Sequence, residues 1–193
     1  MGGKSSCFSG SIYKGPAPHI HEYCQLKKKI MKEILLPTSK GGKKYEEKMK
    51  PMLKTLIEKS FKRHDTKQNG VLDKEEAAVF FQHLVAEESD LLEVAGSEIL
   101  MEACFKTGNP MLRGLDGKAL AEVKRAMEAQ LRKRFEEKAE KVRADYKKNK
   151  TERDQAGFNV MDVNGDGTLH LQEVVDCLMP GSDKYKAFQE AMG

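Results

Sequence analysis

No run of 18 or more apolar residues occurs in this chain of 193 residues, so no segment is expected to span a membrane. No hydrophobic secretory segment opens it. Its four cysteines (Cys7, Cys24, Cys104, Cys177) stand at no metal or redox spacing, and without an export signal they are expected as reduced thiols. A glycine-rich phosphate loop, a nucleophile elbow and a His-Glu zinc helix are all missing. An enzyme is therefore not expected.

What is present concentrates in twelve residues near the C-terminus, Asp162 to Glu173 (DVNGDGTLHLQE). Asp162, Asn164 and Asp166 offer side-chain oxygens at the first, third and fifth positions. Thr168 offers a backbone carbonyl at the seventh, and Glu173 offers both carboxylate oxygens at the twelfth. His170, at the ninth, is expected to hold a water, since a hard cation has little use for imidazole nitrogen. Gly167 marks a sharp turn. This is the spacing with which a chain wraps once around a calcium ion.

A second copy runs from Asp65 to Glu76 (DTKQNGVLDKEE), with Asp65, Asn69, Val71, Asp73 and Glu76 at ligand positions. The flanks agree as well: Phe61 and Phe158 each stand four residues before the first ligand. The copies differ at the third position, where Lys67 replaces Asn164. An ammonium group has no acceptor, so Lys67 cannot coordinate calcium and sets a positive charge beside the site. One strong calcium site is expected at 162–173, in the sensor range of roughly 10⁻⁷ to 10⁻⁵ M, and a weaker or empty one at 65–76.

These loops resemble those of the EF-hand family. The resemblance implies an all-α fold of helix–loop–helix units that work in pairs, joined by a short antiparallel ribbon at the eighth loop position. The two clear loops start 97 residues apart, at 65 and 162, too far for one adjacent pair. The expected partner of the upstream loop is a degenerate, metal-free one at 108–119, where Gly114-Leu115-Asp116 echoes Val71-Leu72-Asp73 and Ala119 stands in the closing position. No partner for the downstream loop can be named from sequence.

Charge is segregated. Residues 1–64 carry 15 Lys/Arg against 5 Asp/Glu, 65–116 carry 4 against 11, 117–161 carry 13 against 8, and 162–193 carry 2 against 6. The acidic blocks hold the loops. The basic blocks are either a solvated lysine-rich surface or an attraction to an anionic membrane face or acidic partner. Nucleic acid is not an expected partner. The opening Met1-Gly2-Gly3-Lys4-Ser5-Ser6-Cys7 fits N-myristoylation at Gly2, with Cys7 placed for palmitoylation. One myristoyl chain binds bilayers with only on the order of 10⁴ M⁻¹, so Cys7 or Lys27, Lys28, Lys29 and Lys32 would supply the second signal. Here the chain resembles the acylated EF-hand sensors, recoverin-like and calflagin-like, which implies a cytoplasmic protein at the inner face of a membrane, or in a cilium or flagellum.

Three regions are expected: a leader with a short amphipathic basic helix over 1–36, a paired unit over 37–130, and a connecting helix with the last hand over 131–193. The leader helix is placed at Glu22–Leu36, where docking on the core is expected ahead of lying on a membrane or covering an apolar groove until calcium arrives. The first entering helix is placed at Tyr45–His64, its exiting helix up to Ala86, and a separate helix at Leu91–Phe105. Leu120, Val123, Met127, Leu131, Phe135, Ala139 and Val142 recur at three- and four-residue steps, which predicts one long helix from Lys118 to about Thr151. The expected function is a membrane-associated calcium sensor or adaptor offering an apolar groove to a helical target. Phe158, Val174, Leu178, Met179, Phe61, Phe80, Phe81 and Leu84 are the groove candidates. The alternatives are a structural adaptor of a cytoskeletal or ciliary assembly and a passive calcium buffer.

Overall fold

A computed structural model describes residues 18–35, 49–106 and 116–192. They form an all-α structure of helices α1 (Pro18–Leu35), α2 (Lys50–His64), α3 (Lys74–Lys106), α4 (Gly117–Lys148), α5 (Lys150–Met161), α6 (Leu171–Leu178) and α7 (Asp183–Met192). Two short strands, β1 (Val71–Leu72) and β2 (Leu169–His170), lie between them in the chain. Helices α2 and α3 flank one acidic loop, and α5 and α6 flank the other.

Helix α2 buries Leu53, Ile57, Phe61 and His64 along one side, at three- and four-residue steps. Its last turn carries Lys62 and Arg63, whose charges favour the negative end of the helix. The next helix departs from the expectation of a break near residues 87–90. Helix α3 runs unbroken for 33 residues. Its polar stretch Glu87-Glu88-Ser89-Asp90 reads as a breaker in isolation, but each side chain is engaged. Glu87 meets His21 at 2.8 Å, Glu88 meets Lys27 at 2.6 Å, and Asp90 meets Arg143 at 2.7 Å. The Ser89 hydroxyl donates to the Val85 carbonyl at 2.7 Å.

Helix α4 packs back along α3. Arg143 bonds Asp90 and Glu93, Phe135 lies over Gly96, and Lys124 sits 5.8 Å from the Phe105 ring. Contacts that rise in number along α4 fall along α3, so the two form an antiparallel hairpin. A Cβ at Gly96 would lie 2.4 Å from the Phe135 ring, which is why the helices need glycine there to come this close. The apolar stripe read from sequence is the side that α4 turns inward, half-buried from Leu120 to Val142 with Ala139 fully covered. The helix continues through residues 130 and 131, starts from Asp116, whose carboxylate accepts the Ala119 N–H at 2.8 Å, and ends at Asn149. Across that joint the Tyr146 hydroxyl donates to Asp154 at 2.6 Å and Arg153 pairs with Asp145.

One core unites the two loop units with α1 and α7. Ile20, Tyr23, Cys24 and Ile30 of α1 are buried in it. The helix starts earlier than expected because Pro18, lacking an N–H, suits the first helical position. Helix α7 was not anticipated. Phe188 packs 5.8 Å from the Phe81 ring, and Gly157 of α5 leaves room for Met192 and Phe188.

Candidate metal site

Each loop is closed by the same bonds. In the upstream loop the Glu76 carboxylate accepts the Thr66 and Lys67 N–H groups at 2.9 and 3.1 Å with one oxygen, and the Asp73 N–H at 3.3 Å with the other. In the downstream loop Glu173 accepts Val163 and Asn164 at 3.0 and 3.4 Å, and His170 at 2.9 Å. The twelfth residue thus ties the end of each loop to its second, third and ninth positions. The first residue organises the middle: Asp65 accepts Asn69 and Gly70, and Asp162 accepts Gly165, Asp166 and Gly167. Gly70 and Gly167 both have φ of 81°, the left-handed turn that a side chain resists.

The loops meet back to back. Strands β1 and β2 pair antiparallel, with Val71 opposite His170 and Leu72 opposite Leu169. Leu72 and Leu169 are both fully buried. This corrects the pairing expected from sequence: the upstream loop joins the downstream one, not 108–119. The α3–α4 hairpin explains it, since it carries the chain away from the first unit and returns it for the second. Residues 108–115 of the degenerate loop lie outside the described residues, and Asp116, read there as an echo of Asp73, caps α4 as Asp73 caps α3, each accepting the N–H three residues on.

The third and fourth positions separate the loops. Lys67 reaches across and pairs with Asp73, whose carboxyl it holds down at about 2. The other Asp73 oxygen accepts the Glu76 N–H at 3.0 Å. Asp73 therefore serves the loop's own cation and the start of α3, where sequence placed it as a returned ligand. Glu76 is buried, which opposes ionisation, but the Thr66 hydroxyl and the loop N–H groups outweigh this and lower its pKa. The downstream loop holds neither lysine nor arginine. Asp166 accepts from Thr168 and Asn164, bonds His170 at 2.8 Å, and is held well below the usual carboxylate range by the Thr168 hydroxyl first. At the fourth position the downstream loop has Gly165 at φ 70°, whereas the upstream loop puts Gln68 at φ 54°. The left-handed conformation costs a non-glycine residue roughly 1 kcal/mol.

Among the described residues no three His, Cys, Asp or Glu side chains gather as a metal cluster, and the loop carboxylates hold N–H groups. The donor chemistry of 162–173 nonetheless suits a hard divalent cation: Asp162, Asn164, Asp166 and Glu173 supply side-chain oxygens on an exposed loop with no ammonium among them. Loop 65–76 suits one less well, with Lys67 inside it. Gly2 and Cys7 lie outside the described residues. The groove candidates Phe61, Phe80, Phe81, Leu84, Phe158, Val174 and Leu178 are all buried here, with Met179 packed against them.

Helix α1 is docked on the core, the first of the placements expected for the leader helix, through contacts that the sequence does not name. The Tyr23 hydroxyl donates to the Leu178 carbonyl at 2.8 Å, and Lys27, assigned to a membrane face, is buried against Glu88. The signal was present in the Ile20, Tyr23, Cys24, Lys27 spacing of one helix side. An imidazole pair of buried His64 and half-buried His83 was overlooked. His64 donates from Nδ1 to the Ser60 carbonyl, which leaves Nε2 to accept from His83 Nδ1 at 2.9 Å. No family model matches the chain, and no curated protein and no solved structure matches it either, so the reading of these loops rests on their own residues and geometry.

Proposed function

We propose that this chain is a calcium sensor of the EF-hand type, tethered at the cytoplasmic face of a membrane through Gly2 and Cys7. The observation that supports the reading is the back-to-back pairing of two acidic twelve-residue loops, each tied from its last residue to its first turn by a glutamate. In the downstream loop Asp162, Asn164, Asp166, the Thr168 carbonyl and Glu173 would hold the ion, with His170 acting through a water. Bound calcium would supply a compact double charge for those oxygens to close around. Glu173 lies in the first turn of α6, so any reorientation of its carboxylate away from the Val163, Asn164 and His170 N–H groups moves that helix. The buried Phe158, Val174 and Leu178 would then become available to a helical target.

The test is calcium titration of the full chain beside its Glu173→Gln form. Loss of a ligand should cost at least roughly 10- to 100-fold in the tighter affinity, the range already seen when outer-shell partners are removed. Absence of calcium heat in the unaltered chain would end the reading. The tether is tested separately: Gly2→Ala should shift the protein from membrane to soluble fractions. An unchanged distribution would remove the anchor and favour the second reading, a structural adaptor. That reading draws on the long α3–α4 hairpin, whose α4 leaves Lys124, Arg125, Arg132, Lys133 and Arg134 exposed to an acidic assembly.

A further inference from the structure

We propose that α1 is a strap holding the helices that leave both acidic loops, and that its contacts set the calcium affinity of the whole chain. The inference rests on the calcium reading above and adds to it the element that opposes opening.

The strap grips both units at their moving parts. Helix α6 is eight residues long, about 12 Å, with Glu173 in its first turn and Leu178 as its last residue. The Leu178 carbonyl is one of those a helix end leaves without an intrahelical partner. The Tyr23 hydroxyl supplies that partner, and the Tyr23 ring is only 2 % exposed. A helix this short moves as a rigid piece, so a pull at Glu173 is felt at Leu178. Helix α3, which begins just before Glu76, is held by three polar contacts from the same strap: a hydrogen bond between His21 and Glu87, and ion pairs of Lys27 with Glu88 and of Lys28 with Glu98 at 3.0 Å. The Lys27 ammonium also lies 5.1 Å from the ring of Tyr185 on α7 in the second unit. Ile20, Cys24 and Ile30 fill the space between these grips.

Opening either unit separates its exiting helix from the rest of the core and strains these bonds. A chain that must shed the strap before it opens binds its ion more weakly by the fraction of molecules already open. Linkage makes the relation reciprocal: weakening the strap tightens calcium, and calcium loosens the strap. Lys27 and Lys28 thus spend their charge on the carboxylates of α3 while the strap is seated.

The experiment is calcium titration calorimetry on the full chain and on Tyr23→Phe, Lys27→Met and the double variant, with exposed Gln25→Ala as the control. Amide hydrogen exchange of residues 18–30 is followed with and without calcium. The strap predicts roughly fivefold tighter binding for each single change, more for the double, and none for the control. It also predicts faster exchange in α1 of the unaltered chain once calcium is added. Equal affinities across the set, or exchange in α1 that calcium does not alter, would overturn the strap while leaving the loops as calcium sites. An unaltered chain that takes up no calcium would overturn the calcium reading first and the strap with it. Should the double variant fail to fold, the exchange measurement on the unaltered chain decides alone.

Discussion

The upstream and downstream loops share one closure and differ in what lies inside it. Both are tied by a terminal glutamate to the same three N–H positions, both turn through a glycine at φ 81°, and both bury a leucine in the shared ribbon. Within that frame the downstream loop has an amide at its third position and glycine at its fourth. The upstream loop has an ammonium paired to Asp73 and a strained Gln68. The lesson is that backbone closure and ligand set are separable. A loop can keep the architecture of a cation site while carrying its own cation.

The shared part of the comparison predicts equal losses. Leu72→Ala and Leu169→Ala each remove a fully buried side chain from the ribbon, and each should cost about 2–5 kcal/mol in chemical denaturation. A large inequality would mean that one unit holds the ribbon without the other. The unshared part predicts convergence. Lys67→Asn frees Asp73 and restores an oxygen at the third position, so calorimetry should find upstream calcium affinity raised about tenfold, toward that of the downstream loop. No change would show that something other than the ammonium weakens the site.

The smallest effect concerns the residue just before each loop, buried in both: His64 upstream and Met161 downstream. Burial, assisted by Arg63, holds His64 and His83 below the ordinary imidazole value of 6.5. The unfolded chain therefore binds more protons, so this contribution to stability is present above about pH 6.5 and is lost as the pH falls toward the lower folded values. A second proton on the pair also removes its hydrogen bond, worth about 1 kcal/mol. Thermal melts at pH 7.5 and 5 should show a smaller difference for His64→Met than for the unaltered chain. An identical difference would place the acid sensitivity elsewhere.

Legibility followed the range of the interactions. The α4 stripe could be read almost residue by residue, because burying one helix side needs only a three- and four-residue repeat. The break expected after Ala86 failed because Glu87, Glu88 and Asp90 are stabilised by partners on α1 and α4, and no local rule sees those partners. The pairing of Asp73 was hidden for a related reason. Its ligand position is written in the sequence, but the reach of Lys67 across the loop is not.

The residues alone determined the helical class, the two twelve-residue oxygen patterns and the glycine turns, since each is a matter of spacing within one short stretch. Only the tertiary structure decided that loops 97 residues apart pair with each other, that α1 lies buried across both units, and that α7 completes the core. Those outcomes depend on a helical hairpin bringing distant apolar surfaces together. The free energy of that burial belongs to pairs of segments and to no segment by itself.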